Sequence, residues 1–153
     1  MGKIIAEIEL NVPHAKVWKA FHDPQLIAKA MPENVICVEI IEGDGVSAGS
    51  VRKLIFAPNS PHGEFLVEKI VSVHKLSHTI VTEQIEGAAI GKIFSFTKVT
   101  FKFHADGHNK TKLIWEFEYE ALVADPPIEQ AKAGAIRTLK SIENYLISCK
   151  EYD

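Results

Sequence analysis

The sequence predicts an α+β fold: a curved, seven-stranded antiparallel sheet wrapped around one long C-terminal helix, with two short helices after the first strand. Three observations carry this. Seven strand-like runs are separated by short turn signals, the pattern of an antiparallel meander. After Asp125-Pro126-Pro127 the apolar spacing changes from two to three and four and stays helical. The 153 residues contain no internal repeat, linker or low-complexity stretch, so 1–153 reads as one domain with enough chain to bury a core.

The elements follow in order. Lys3 to Asn11 places Ile4, Ala6, Ile8 and Leu10 on one face and Glu7 and Glu9 on the other, a half-buried strand. Pro13 opens a short helix to about His22, its ring presetting the first turn. Asp23 as cap and Pro24 as first residue start a second, which Pro32 stops after Met31. Strands are expected at Val35–Ile41, Ser50–Ala57, Gly63–Val73, Thr79–Glu86, Lys92–His104 and Thr111–Leu122. In Lys92–His104 the apolar parity changes between Phe96 and Val99, which a β-bulge near Thr97-Lys98 reconciles. The last helix runs from about Pro127 to Lys150, roughly 36 Å, with Asp125 as its cap. That is long enough to cross the whole concave face.

Composition narrows the function. Lys+Arg 17 against Asp+Glu 20 gives a net charge of −3, so no basic stripe marks a nucleic-acid binder. No apolar run approaches the roughly 20 residues of a membrane span. The opening residues Met1 to Leu10 lack a signal-peptide cleavage pattern, and Gly2 lacks the Ser/Thr of a myristoylation signal. Cys37 and Cys149 have no metal or redox spacing and read as free thiols of a reducing, cytoplasmic compartment. The seven histidines, at 14, 22, 62, 74, 78, 104 and 108, read as solvated turn residues rather than a metal site, and no cofactor is expected.

One feature of the last helix bears on function. Its first half presents Ala131, Ala133, Gly134 and Ala135, whereas its second half presents Leu139, Ile142 and Leu146. Small residues facing a curved sheet leave either a collapsed contact or an open space. We read open space.

The order of elements and three motifs resemble the birch-pollen-allergen family, also called pathogenesis-related class 10, with its major latex protein-like relatives in the helix-grip (START-like) superfamily. Ile41-Glu42-Gly43-Asp44-Gly45-Val46-Ser47-Ala48-Gly49-Ser50 is similar to the family's glycine-rich loop. Gln84-Ile85-Glu86-Gly87-Ala88-Ala89-Ile90-Gly91 resembles its turn after the fifth strand, and Glu143-Asn144-Tyr145-Leu146 the end of its last helix. The resemblance covers essentially the whole chain. It implies reversible binding of hydrophobic or amphiphilic plant metabolites: cytokinins, sterols, flavonoids, fatty acids. Related members catalyse alkaloid assembly.

Strand parity proposes the cavity lining: Leu54 and Phe56, Phe65 and Val67, Ile80 and Thr82, Val99 and Phe101, and Leu113, Trp115, Phe117 and Tyr119. Gly134 and Thr138 join them from the helix. An apolar pocket with few polar groups is what small-molecule sites look like. Arg52 shares the inward parity of Leu54, as either a ligand contact or a side chain snorkelling to solvent. The resemblance implies a basic residue there that hydrogen-bonds ligands.

Three other chemistries are weaker. Gly43, Gly45 and Gly49 lead into a strand rather than a helix, so a rigid hairpin loop is read in preference to a phosphate cradle. The family's condensing enzymes use an interior lysine, but Lys112 falls on the outward face of its strand. Ribonuclease activity in relatives leans on Glu143 and Tyr145 plus an acidic residue that is replaced here, near Ser95-Phe96. The expectation is a carrier of a hydrophobic small molecule, monomeric or weakly dimeric, with an enzyme using the same cavity as the alternative. A module presenting Gly43–Gly49 to a partner is a third reading.

Overall fold

Strict alternation makes β1 (Gly2–Leu10) bury Ala6, Ile8 and Leu10 and expose Lys3, Glu7 and Glu9. The computed structural model describes residues 1–153. Two short helices follow, α1 (His14–Ala20) and α2 (Leu26–Ala30), then β2 (Val35–Glu42), β3 (Val51–Phe56), β4 (Phe65–His74), β5 (Thr79–Gly87), β6 (Phe94–Ala105), β7 (Thr111–Ala121) and α3 (Ile128–Ser148). The strands form one antiparallel sheet in the order β1-β7-β6-β5-β4-β3-β2. The meander is therefore closed on one side by the first strand, which pairs with the last.

Several boundaries differ from expectation. The β6 irregularity falls between Phe94 and Phe96, not at Thr97-Lys98. Ser95 is the extra residue, so Phe94 and Thr97 are buried while Phe96 lies only partly buried, on the opposite parity to Thr97. Asp125 does not cap α3, which starts after Pro127 with no side-chain cap. Asp23 and Pro24 do not start α2 either, which begins at Leu26 with no side-chain cap; Asp23 Oδ1 accepts the Gln25 N–H at 2.9 Å in the turn before it.

The free edge of β2 is occupied by a side chain. The Gln25 amide donates to the Val38 carbonyl at 2.8 Å and its Oε1 accepts the Val38 N–H at 3.3 Å. It thus imitates a neighbouring strand at one residue and blunts an edge that would otherwise recruit another chain.

The main core joins β1, β5, β6, β7, α1, α2 and the second half of α3, with Leu10, Val17, Phe103, Leu113, Leu139, Ile142 and Leu146 among its members. The chain's end is locked onto it. Tyr152 is buried, and its hydroxyl donates to Asp23 Oδ2 at 2.6 Å, which Lys29 Nζ also reaches at 2.6 Å. Burial pushes the Asp23 carboxyl up, but the bonds from Lys29, Tyr152 and the Gln25 N–H prevail and hold it below the usual carboxylate range. Glu143 is also buried: its Oε2 accepts the Asn11 N–H at 2.6 Å, fastening α3 to the end of β1. Its environment is that of a clamp.

The convex face carries charge ladders. Glu116 lies between Lys3 at 2.9 Å and Lys102 at 2.8 Å, and the bonds from Lys102 and then Lys3 hold its carboxyl below the usual range.

Candidate functional site

The two halves of α3 meet different surroundings. All its buried residues, Leu139, Ile142, Glu143 and Leu146, lie in the second half, and none lies between Ile128 and Thr138. The curved sheet wraps around the helix as expected, and the closest backbone approaches of the helix are to β1 and α2. Gly134 is half-buried, and a Cβ there would meet only the guanidinium of Arg137, an exposed residue of the same helix, at 3.7 Å.

The core is correspondingly divided. A second cluster of Val35, Val38 and Leu54, with Ile27, Ala28, Phe56 and Leu66 against it, is separate from the main one. A small satellite cluster beside one main core is the ordinary arrangement in a domain of this size. Of the inner residues of β3 to β5, Leu54 belongs to the smaller cluster and Ile80 to the main one, whereas Arg52, Glu68, Ile70 and Thr82 belong to neither.

The expected lining residues distribute as follows. Ile80 and Thr82 are buried on the inner face, opposite the half-buried Phe101 and Val99. Leu113, Trp115 and Phe117 are buried in the main cluster, the Trp115 and Phe117 rings stacked at 5.5 Å. They are packed core. Tyr119 is half-buried beyond them and lies over β1, where a Cβ on Gly2 would fall 2.2 Å from its Cζ. Leu54 is buried and Phe56 half-buried in the smaller cluster. Thr138 spends its hydroxyl on the Gly134 carbonyl, 3.0 Å away, and both are half-buried.

Phe65 and Val67 are a correction. They pair with Ile55 and Lys53, on the face opposite Leu54, and the Lys53 ammonium sits 4.6 Å from the Phe65 ring centroid. The inward residues of β4 are Leu66, Glu68 and Ile70. An irregularity between Ile70 and Ser72 switches the parity, so Val73, across from Ile80, is inward as well. Counting back by twos from Val73 crosses that bulge and gives the wrong face.

Glu68 is the functional candidate that sequence reasoning missed. It sits opposite Arg52, and its Oε1 accepts from Arg52 Nε at 2.9 Å and Nη2 at 2.8 Å. Arg52 Nη1 donates to the Gly45 carbonyl at 3.2 Å. Arg52 therefore neither snorkels freely nor awaits a ligand as a bare cation. The expected inward parity of Phe65 and Val67 turned Glu68 outward, so only the strand pairing brings it opposite Arg52.

The glycine-rich loop fills its own centre. Gly43, Gly45 and Gly49 have φ of 76°, 86° and 90°, a backbone suited to glycine. Asp44 accepts the Ser47 hydroxyl at 2.6 Å and the Val46 and Ser47 N–H groups at 2.9 and 2.7 Å. These bonds, the Ser47 hydroxyl's first, hold its carboxyl far below the usual range. The donors that a phosphate would need are already taken.

The histidines are not uniformly solvated. His14 and His78 rings lie 4.3 Å apart, with Trp18 4.8 Å from His78 and 4.6 Å from His22. Burial, then His14, pushes the His78 imidazole below the ordinary histidine value. No three histidine, cysteine or acidic side chains are grouped to hold a metal ion. Both cysteines are free. Lys112 is on the convex face, paired with Glu7. No helix is long and apolar enough to cross a membrane.

Two of the surface clefts border the segments discussed above. One of about 550 Å³ lies between Tyr119 and the Asp125–Gln130 segment that begins α3. Of the expected lining residues only Tyr119 borders it. The other, about 530 Å³, lies around Ile36, Ile55, Phe56 and Pro58.

Comparison with known proteins returns one family. The model described as "Pathogenesis-related protein Bet v 1 family" matches residues 1–149. Major strawberry allergen Fra a 1-E of Fragaria ananassa is 32% identical over 146 residues, 92% of this chain and 90% of the relative. MLP-like protein 423 of Arabidopsis thaliana is 28% identical, covering 95% and 94%. Among solved structures, Ara h 8.0201 superposes with a TM-score of 0.80 at 23% identity, covering 97% of this chain and 99% of that one. Norcoclaurine synthase from Thalictrum flavum, in complex with dopamine and hydroxybenzaldehyde, gives 0.77 at 19% identity, covering 98% and 88%.

Proposed function

Because the chain belongs to the pathogenesis-related Bet v 1 family, we propose that it binds a hydrophobic or amphiphilic plant small molecule between its two core clusters. The ligand, of phytohormone, sterol or flavonoid type, enters past Tyr119 and the start of α3. The observation that carries this reading is the division of α3: no residue of its first half is fully buried, with Ile128, Ala135 and Ile136 only partly covered by the main core, while its second half buries Leu139, Ile142 and Leu146. Ile80, Thr82, Val99 and Phe101 form the floor, with Gly134 and Thr138 above them. Apolar burial contributes roughly 25 cal/mol per Å², offset by the cost of immobilising the ligand, so micromolar affinity with loose selectivity is expected. The role is storage or transport, by a monomer or weak dimer in the cytoplasm, where Cys37 and Cys149 stay reduced.

An enzyme using the same space is the second reading, favoured by the fold shared with norcoclaurine synthase. It would need Tyr119 as acid or base with an interior partner. Lys112 points outward and Arg52 is already paired, so binding without turnover ranks first.

Displacement of N-phenyl-1-naphthylamine, an uncharged fluorescent probe, separates the outcomes. The carrier reading expects the probe to fluoresce with the protein and to be displaced by apolar metabolites. Failure of every class to bind contradicts it. Conversion of amines and aldehydes that disappears in Tyr119→Phe would establish the enzyme instead.

A further inference from the structure

The inner face of the sheet carries one polar row across five strands. Arg52 on β3 stands opposite Glu68 on β4, and Glu68 opposite Gln84 on β5. Thr82 faces Val99, so two residues further on Gln84 and Thr97 share that inner face. Thr97 in turn pairs with Tyr119 on β7. Four strand spacings make the row roughly 19 Å long.

Its hydrogen-bonding capacity is incompletely used. Both Arg52 bonds to Glu68 fall on Oε1, which leaves Oε2 as a free acceptor. Thr97 is 1% exposed, and its Oγ1 is buried without any partner. A buried hydroxyl left unbonded is costly, and an ordered water or a ligand group reaching it would complete its bonding. The charge balance is equally specific. Arg52 and Glu68 have side chains only 18% and 16% exposed, so the pair cancels within a partly desolvated space. An incoming carboxylate meets the Glu68 carboxylate there, and reaching Arg52 means breaking an existing ion pair.

We propose, resting on the carrier reading above, that the Arg52–Glu68 pair sets the charge class of the ligand. The site takes neutral or cationic amphiphiles that present hydroxyl or amine donors to Glu68 Oε2, and it rejects acids of the same shape. Fatty-acid and other carboxylate ligands are excluded by charge, although their apolar bodies fit. The apolar part of the ligand lies toward Phe101 and Ile80, and its polar edge lies along the row.

A matched series tests this by titration calorimetry: 1-naphthaleneethanol, 2-(1-naphthyl)ethylamine and 1-naphthaleneacetic acid, which share one ring system. With the wild-type protein the alcohol and amine bind at least tenfold more tightly than the acid. Glu68→Gln, which keeps the side-chain shape, removes the discrimination and improves acid binding at least tenfold by freeing Arg52. Arg52→Met, which leaves Glu68 uncompensated, widens the preference for the amine. Urea unfolding of each variant confirms that it is folded before titration. Equal or tighter binding of the acid by wild type overturns the inference while sparing the carrier reading, as does an acid-to-alcohol ratio that Glu68→Gln leaves unchanged. No binding of any of the three overturns both.

Discussion

The two halves of α3 lie on one continuous helix beside one continuous sheet, yet they meet different interiors. From Leu139 onward the helix sends Leu139, Ile142 and Leu146 into a core that also takes Leu10, Leu113 and Phe103. Before Thr138 only Ile128, Ala135 and Ile136 pack against that core, each in part, and no side chain there is fully buried. The difference teaches that close packing is concentrated at one end of the molecule, which leaves the other for the binding proposed above. The sealed end anchors the fold through packing and through the Tyr152–Asp23–Lys29 lock. The other end leaves the Arg52–Glu68 pair and the inner faces of β3 to β5 with little helical cover. Substitutions should therefore separate by location.

The largest effect belongs to the sealed end. Leu146 has no exposed surface, and Leu146→Ala should cost about 2–5 kcal/mol in urea unfolding. A loss below 1 kcal/mol would show that this end is not closely packed. Tyr152→Phe removes a hydroxyl that donates to a charged partner and should cost about 1.5–3 kcal/mol in the same assay. Asp23 adds a pH signature. Its carboxyl is held below its unfolded value, near 3.9, so its contribution is complete above about pH 4 and is lost as pH falls through the folded value. Thermal melts between pH 7 and pH 2.5 should show a drop below pH 4 that is shallower in Asp23→Asn.

The same comparison explains what the sequence revealed. Alternation in Thr111–Ala121 and the three-four spacing after Pro127 were legible because each side chain there obeys one local period. The contrast between Ala131–Ala135 and Leu139–Leu146 was legible for the same reason. What was not legible depended on register. Phe65-Leu66-Val67 is apolar on both faces, so its parity rests on the bulge at Val71, which no residue type announces. Glu68 was overlooked because its role needs Arg52 opposite it, a fact of strand pairing. Gln25 looks like an ordinary helix-start residue, and only the fold brings it to the edge of β2. His14, His22 and His78 meet around Trp18 through the docking of α1 on the β4–β5 turn, contacts far apart in the chain.

At the open end, effects on stability should be small and effects on binding large. Gly134→Leu should reduce affinity for an apolar probe at least tenfold, about 1.4 kcal/mol, while leaving the urea midpoint unchanged or raised. A large destabilisation would show that the space is already filled. The smallest effect comes from Gly134→Ala. The added methyl meets only the Arg137 side chain, and replacing a mid-helix glycine should raise stability by about 0.5–1 kcal/mol.

The central claim is tested most directly by an amide NMR titration with 1-naphthaleneethanol. The account expects shifts concentrated at Thr82, Val99, Phe101, Gly134 and Thr138, with Ile142 and Leu146 unmoved. Shifts confined to the convex face or to the Ile36–Pro58 cleft, or no saturable shifts at all, would contradict it.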